Sequence, residues 1–156
     1  RSNIKNEIWD KMDTLTKEMT RFYEEKSSEY SDKLRPINLS LQTSDMQKLI
    51  GIQTDTLILR QDLQDEITIH LNKLSEKNVD LKKITGDRIE YYATGHGAKY
   101  SDKKMTESIN ADLSYNQQII KIIENYIEHL RECKNACDQV GYALKNRSDL
   151  MNHLGR

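Results

Sequence analysis

Apolar positions along this chain recur at steps of three and four rather than two, a pattern that predicts helices almost throughout. Ile4, Ile8, Met12, Leu15, Met19 and Phe22 form one stripe with a Lys/Glu-rich face opposite, so a first amphipathic helix is predicted over 3–32. Pro36 is expected to stop any helix, because its ring removes an N–H and crowds the preceding turn. A linker is predicted there, with a short extended piece at 37–41, where Ile37, Leu39 and Leu41 alternate with polar residues. Ser44 followed by Gln47 is a capping-box signature that should open a second helix. Gly51 weakens that helix and predicts a break before Leu57. From there Leu63, Ile67, His70, Leu71, Leu74, Asn78, Leu81, Ile84, Arg88 and Tyr91 keep the three-four step, so the helix should persist to about Tyr92 and then meet glycines.

The last third carries the longest pattern. Met105, Ile109, Asp112, Asn116, Ile119, Ile123, Tyr126, Leu130, Cys133, Cys137, Val140, Leu144, Arg147, Met151 and Leu154 fall on one heptad seam, and twelve of the fifteen are apolar. That repeat predicts a coiled-coil-like helix over 103–154. A fifty-residue helix is roughly 75 Å long. Leu113, Ile120 and Ile127 add a second apolar column beside the seam. On this reading one chain is too small to cover both sides, and identical subunits are the simplest source of neighbours. Asp112, Asn116 and Arg147 are polar seam positions of the kind that fix register or oligomer state.

Composition agrees with long helices. The chain has 156 residues, 31% of them charged, with one proline and six glycines. No apolar run approaches the ~18–20 residues that span a bilayer, and no signal-peptide core is visible, so a soluble intracellular protein is expected. The net charge of −1 excludes a globally basic nucleic-acid binder. Its distribution is uneven: residues 73–104 hold eight basic side chains against five acidic ones.

Most catalytic and metal signatures fail. His129, Cys133 and Cys137 share one helical face, but a structural zinc site needs four ligands, and a buried pair of reduced thiols is the favoured reading. Gly95-His96-Gly97 lacks the Gly-Lys-Ser/Thr of a phosphate loop and the third glycine of a dinucleotide fingerprint. No catalytic residue, metal or cofactor is expected, and no enzyme. The distinctive local chemistry is DRIEYYATGHGAKY at 87–100. Tyrosine rings stack on bases at roughly 1–3 kcal/mol each, and nearby lysines and arginines attract phosphate. Composition alone leaves this stretch open between a structural turn, which it favours, and a nucleic-acid site.

Three patches bear a likeness that shifts the balance. Arg88-Ile89-Glu90-Tyr91-Tyr92 precedes Gly95, MTESINAD stands at 105–112, and GYALKNRSDL at 141–150. In this order and spacing, over about residues 60–155, the chain resembles the UvsY family of recombination mediators of T-even-type tailed phages. The resemblance implies a non-enzymatic protein that binds single-stranded DNA and helps a RecA-like phage recombinase displace the phage single-strand-binding protein. It implies a homo-oligomer of six or seven subunits, no membrane, and the cytoplasm of the infected bacterial host. Arg88 matches the family's basic position, whereas Gly86 stands where a second basic residue occurs; Lys82 and Lys83, one turn earlier, are the compensating candidates.

The resulting expectation is an all-α fold: a long antiparallel helical hairpin with a coiled-coil-like C-terminal helix and an extra N-terminal helix, assembling as a ring-like homo-oligomer. The division expected is an N-terminal helix and linker at 1–42, a DNA-binding region at 43–102 ending in a Gly-rich turn, and an oligomerisation helix at 103–156. Lys82, Lys83, Arg88, Tyr91, Tyr92, His96, Lys99, Lys103 and Lys104 are the candidate DNA contacts. Asp112, Asn116, Ile123, Leu130, Cys137, Gly141, Leu144 and Met151 are the candidate assembly residues. The alternative is a structural coiled-coil scaffold or adaptor with no nucleic-acid role.

Overall fold

The computed structural model describes residues 2–43, 45–94 and 102–155, with backbone only for Ser2, Asn3 and Lys5. Nearly all the described residues are helical, in three elements: α1 (Ser2–Ser40), α2 (Met46–Thr94) and α3 (Asp102–Leu154). Two compact units divide the chain, one made of Arg1–Phe22 with Leu71–Asn125, the other of Tyr23–His70 with Tyr126–Arg156. Each helix therefore contributes to both units, whereas the expected division ran from one helix to the next.

Two local expectations are overturned. Pro36 does not end the first helix: α1 runs through it to Ser40, and no extended piece forms at 37–41. The missing N–H and the ring clash cost about 3 kcal/mol in a helix interior. Against that cost stand Tyr30, Leu34 and Ile37, which lie on one face at helical spacing and are all buried. Ending the helix at residue 32 would pull two of those anchors from the core. The helix closes instead after Ser40, whose Oγ donates to the Pro36 carbonyl at 2.8 Å. Gly51 likewise fails to break α2, because Leu49 and Ile52 on either side are buried and hold that turn in place.

The start of α2 is capped one residue later than the capping-box reading places it. Ser44 itself lies outside the described residues. Asp45 Oδ1 accepts the Gln47 N–H at 3.0 Å, and the Asp45 carbonyl accepts the first helical bond from Leu49 at 3.1 Å. An aspartate in this position satisfies one orphan donor and faces the positive end of the helix dipole.

In the unit formed by 23–70 and 126–156, paired side chains fix the register. Arg60 Nε meets Asp138 Oδ1 at 2.7 Å, and Lys134 Nζ donates to Gln64 Oε1 at 2.6 Å. Rising numbers on α2 oppose falling numbers on α3, so the two run antiparallel there. Leu63, Leu130 and Cys137 of this unit are fully buried. Tyr23 of α1 meets Tyr126 at 4.5 Å between ring centroids, and Ser27 and Ser31 meet His129, so α1 runs parallel to α3. In the other unit Ile109, Leu113, Ile119, Ile120 and Ile123 of α3 supply the buried side chains among the described residues. Leu74, Leu81 and Ile84 of α2 and Met12 and Met19 of α1 are half-buried.

These burials correct the argument for assembly from two sticky faces. The second column, Leu113, Ile120 and Ile127, is buried inside the chain, as is the seam from Ile119 to Leu144. The single chain supplies the neighbours that the sequence reading sought in identical copies.

Candidate nucleic-acid interface

Near the end of α2, Leu81, Ile84 and Thr85 form the half-buried stripe, and Arg88 and Tyr92 continue it at steps of four. That spacing carries both side chains to Asp112 on α3, within the unit formed by 1–22 and 71–125. The Tyr92 hydroxyl donates to Asp112 Oδ2 at 2.8 Å, and Arg88 Nε approaches the same oxygen at 3.8 Å. The Arg88 guanidinium lies over the Tyr91 ring, 5.9 Å from its centroid. Tyr91 and Tyr92 meet edge to face at 5.1 Å. The arrangement presents a half-exposed cation, one half-exposed aromatic ring at 46%, and a carboxylate beneath them. A guanidinium in this position can bind phosphate in bidentate fashion, and a half-open ring offers a stacking face.

Other expected contacts are less concentrated. Lys82, Lys83, Lys103 and Lys104 are exposed. At 3.6 residues per turn, Lys82 and Lys83 stand about 120° and 140° from Arg88 around the α2 axis. They share the side of Gly86, Asp87 and Glu90 rather than that of Arg88 and Tyr92. Gly86 is exposed with nothing within 4 Å of where its Cβ would lie. His96, Lys99, Tyr100 and the glycines Gly95 and Gly97 lie outside the described residues.

The candidate assembly residues divide by burial. Ile123, Leu130, Cys137 and Leu144 spend their side chains in the core of their own chain. Asn116 and Met151 are half-buried. Asp112, expected as an assembly device, is engaged by Tyr92 and Arg88 of its own chain. Arg147, expected as a polar seam position that fixes register or oligomer state, donates to the Gln42 carbonyl of its own chain at 3.3 Å. Gly141 is exposed and lines an open groove of about 650 Å³ between α2 and α3, with Leu49, Ile50, Leu57, Tyr142 and Leu144. Ile50, Leu57 and Tyr142 are more than half exposed there. The sequence reading missed this groove, since Ile50 and Leu57 lie off the core stripe of α2 and gave no periodic signal.

His129 and the two cysteines, weighed as metal ligands, have other occupations. His129 Nε2 sits 3.1 Å from the Ser27 carbonyl, which can only accept, so that nitrogen carries a proton. Cys133 Sγ lies 3.4 Å from the same nitrogen. Both cysteines are free and buried. Burial pushes the Cys133 thiol up and the Cys137 thiol to about 11. Among the described residues no group of three or more His, Cys, Asp or Glu side chains converges as a metal site, and no helix is long and apolar enough to cross a membrane. No family model, curated protein or solved structure matches the chain.

Proposed function

We propose that this chain is a non-enzymatic recombination mediator that binds single-stranded DNA and loads a RecA-like phage recombinase by helping displace the phage single-strand-binding protein. The observation that carries the reading is the ordered likeness of Arg88…Tyr91-Tyr92, MTESINAD and GYALKNRSDL to the UvsY family. The local geometry supports it. Arg88, Tyr91 and Tyr92 lie together at the end of α2, with the guanidinium and the Tyr91 ring both half open to solvent. Phosphate attraction by the basic side chains is independent of base sequence, and so is stacking on tyrosine.

One such site binds weakly, because the basic excess over 73–104 is only three charges. Assembly supplies the remainder. In a ring of six or seven copies, engagement at one site raises the effective concentration of the strand at the next. The groove at Gly141 and Tyr142 is the surface we assign to a second copy. It falls in the patch that the resemblance places in the assembly helix, and its exposed apolar side chains lie outside the chain's own core.

A structural scaffold is the second reading. It is favoured by the use of Arg88 and Tyr92 as fasteners between α2 and α3 within the chain. Sedimentation of the purified chain with a labelled single-stranded oligonucleotide separates the two. Co-sedimentation that weakens as salt rises is the mediator's result; an oligonucleotide that sediments as if alone is the scaffold's.

A further inference from the structure

Asp112 stands at the centre of the proposed strand-binding site, yet its charge opposes that of DNA. A single oxygen, Oδ2, takes both the Tyr92 hydroxyl at 2.8 Å and the approach of Arg88 Nε at 3.8 Å. The two contacts differ in kind. The first is a short hydrogen bond to a half-buried tyrosine; the second is a loose ion pair whose arginine is 46% exposed and whose aspartate is 28% exposed. A pair this open and this long is weak, so its arginine exchanges partners readily. Phosphate offers the guanidinium two oxygens in a matching fork, where Asp112 offers one distant oxygen already shared with Tyr92.

From this geometry we infer that Asp112 is an internal competitor for the phosphate that Arg88 binds. In the free chain it holds Arg88 back against the Tyr91 ring. When a strand arrives, Arg88 turns to phosphate while Asp112 keeps Tyr92 in place. The carboxylate thereby lowers the affinity of each site while preserving its shape. In a mediator that must surrender its strand to a recombinase, weak contacts summed over several copies allow that transfer, since each site lets go separately. The inference rests on the single-strand reading above and assigns a regulating residue to that site.

The test is a fluorescence-anisotropy titration of the full chain against labelled oligo-deoxythymidine across a salt series. It compares wild type, Asp112→Asn, Arg88→Ala, the double variant and Tyr92→Phe, with helicity checked by circular dichroism. Asparagine keeps the shape and an acceptor for Tyr92 but removes the charge. Asp112→Asn should bind about three- to tenfold tighter at low salt, a gain of the size expected from removing one nearby like charge and one weak ion pair. Its salt dependence should also steepen by up to about 0.7 in log–log slope, because Arg88 no longer passes from one anion to another when it binds. In the Arg88→Ala background that gain should shrink to the part owed to the removed like charge alone. Tyr92→Phe frees Oδ2 for Arg88 and should weaken binding, a result that stands even if the asparagine variant folds poorly. Wild-type binding with no gain in Asp112→Asn, or a gain undiminished without Arg88, overturns the inference. So does a Tyr92→Phe variant that binds as tightly as wild type. Absence of wild-type binding removes the single-strand reading itself, a distinct and earlier failure.

Discussion

His70 occupied an apolar seam position by spacing alone, and the structure buries it to 5% exposure beside Tyr23 and Tyr126. Its Nδ1 donates to the Glu66 carbonyl at 2.8 Å, which leaves Nε2 to accept from the Tyr23 hydroxyl at 3.2 Å in the neutral ring. Tyr126 in turn donates to Glu66 Oε2 at 3.2 Å. Tyr126→Phe leaves that carboxylate a donor short, and a loss of about 1–3 kcal/mol in urea unfolding is expected. Burial, with the Glu66 charge behind it, raises the phenols of Tyr23 and Tyr126 and takes Tyr30 to about 12. Burial, with Cys133 and the Asp138 charge beside it, takes the Cys137 thiol to about 11 from its ordinary 9.0. The folded chain thus holds these protons to higher pH than the unfolded chain does. Stability is full below the unfolded values and falls as pH rises through the raised ones, so the urea midpoint should drop steadily from about pH 9 upward. A midpoint unchanged up to about pH 11 would contradict the burial of these groups. Gly86 gives a third residue-level expectation. Its open surroundings accept a side chain, so Gly86→Lys should stabilise the chain by about 0.5–1 kcal/mol. It should also tighten single-strand binding if the strand crosses the Lys82 side of α2. A stabilised variant with unchanged binding would confine the strand to the Arg88 side.

At the scale of the element, periodicity located all three helices, and along α2 and α3 it also marked positions that the chain buries. In α1 the stripe residues Ile4, Ile8, Leu15 and Phe22 are exposed, and Tyr23, Tyr30, Leu34 and Ile37 are the buried anchors. The errors at helix ends and breaks came from local rules that burial outweighed. Pro36 and Gly51 are each unfavourable in a helix, yet Tyr30, Leu34 and Ile37 around the first, and Leu49 and Ile52 around the second, hold those turns in the core. Pro36→Ala should therefore stabilise α1, by up to about 3 kcal/mol in thermal or urea unfolding, because the helix already passes through that position. Destabilisation on the same change would mean that the proline ring itself is needed in the packing. The site was legible only in part for a related reason. Arg88, Tyr91 and Tyr92 are neighbours on one helix and could be grouped from sequence. Their carboxylate partner lies on another helix, where the seam pattern marked Asp112 only as a polar interruption.

For the whole molecule, the heptad seam from Ile119 to Leu144 marks buried positions of α3. Two helices of the same chain bury both apolar columns, so a contact between copies would have to use surfaces left outside the core. Gly141 is the sharpest probe of one such surface. Nothing within 4 Å occupies the place of its Cβ, so within the chain Gly141→Ala should gain about 1 kcal/mol of helix stability. Where a second copy packs closely against this groove, the same methyl group should lower the mass seen by sedimentation equilibrium. A variant that is more stable and equally assembled would move the interface elsewhere. The central claim concerns DNA, and the most direct measurement is the affinity of the wild-type chain for single-stranded oligo-deoxythymidine as a function of salt. The account predicts saturable binding whose logarithm falls linearly with that of salt concentration, and which Arg88→Ala weakens without loss of helicity; no binding at low salt, or binding indifferent to salt and to Arg88, would contradict it.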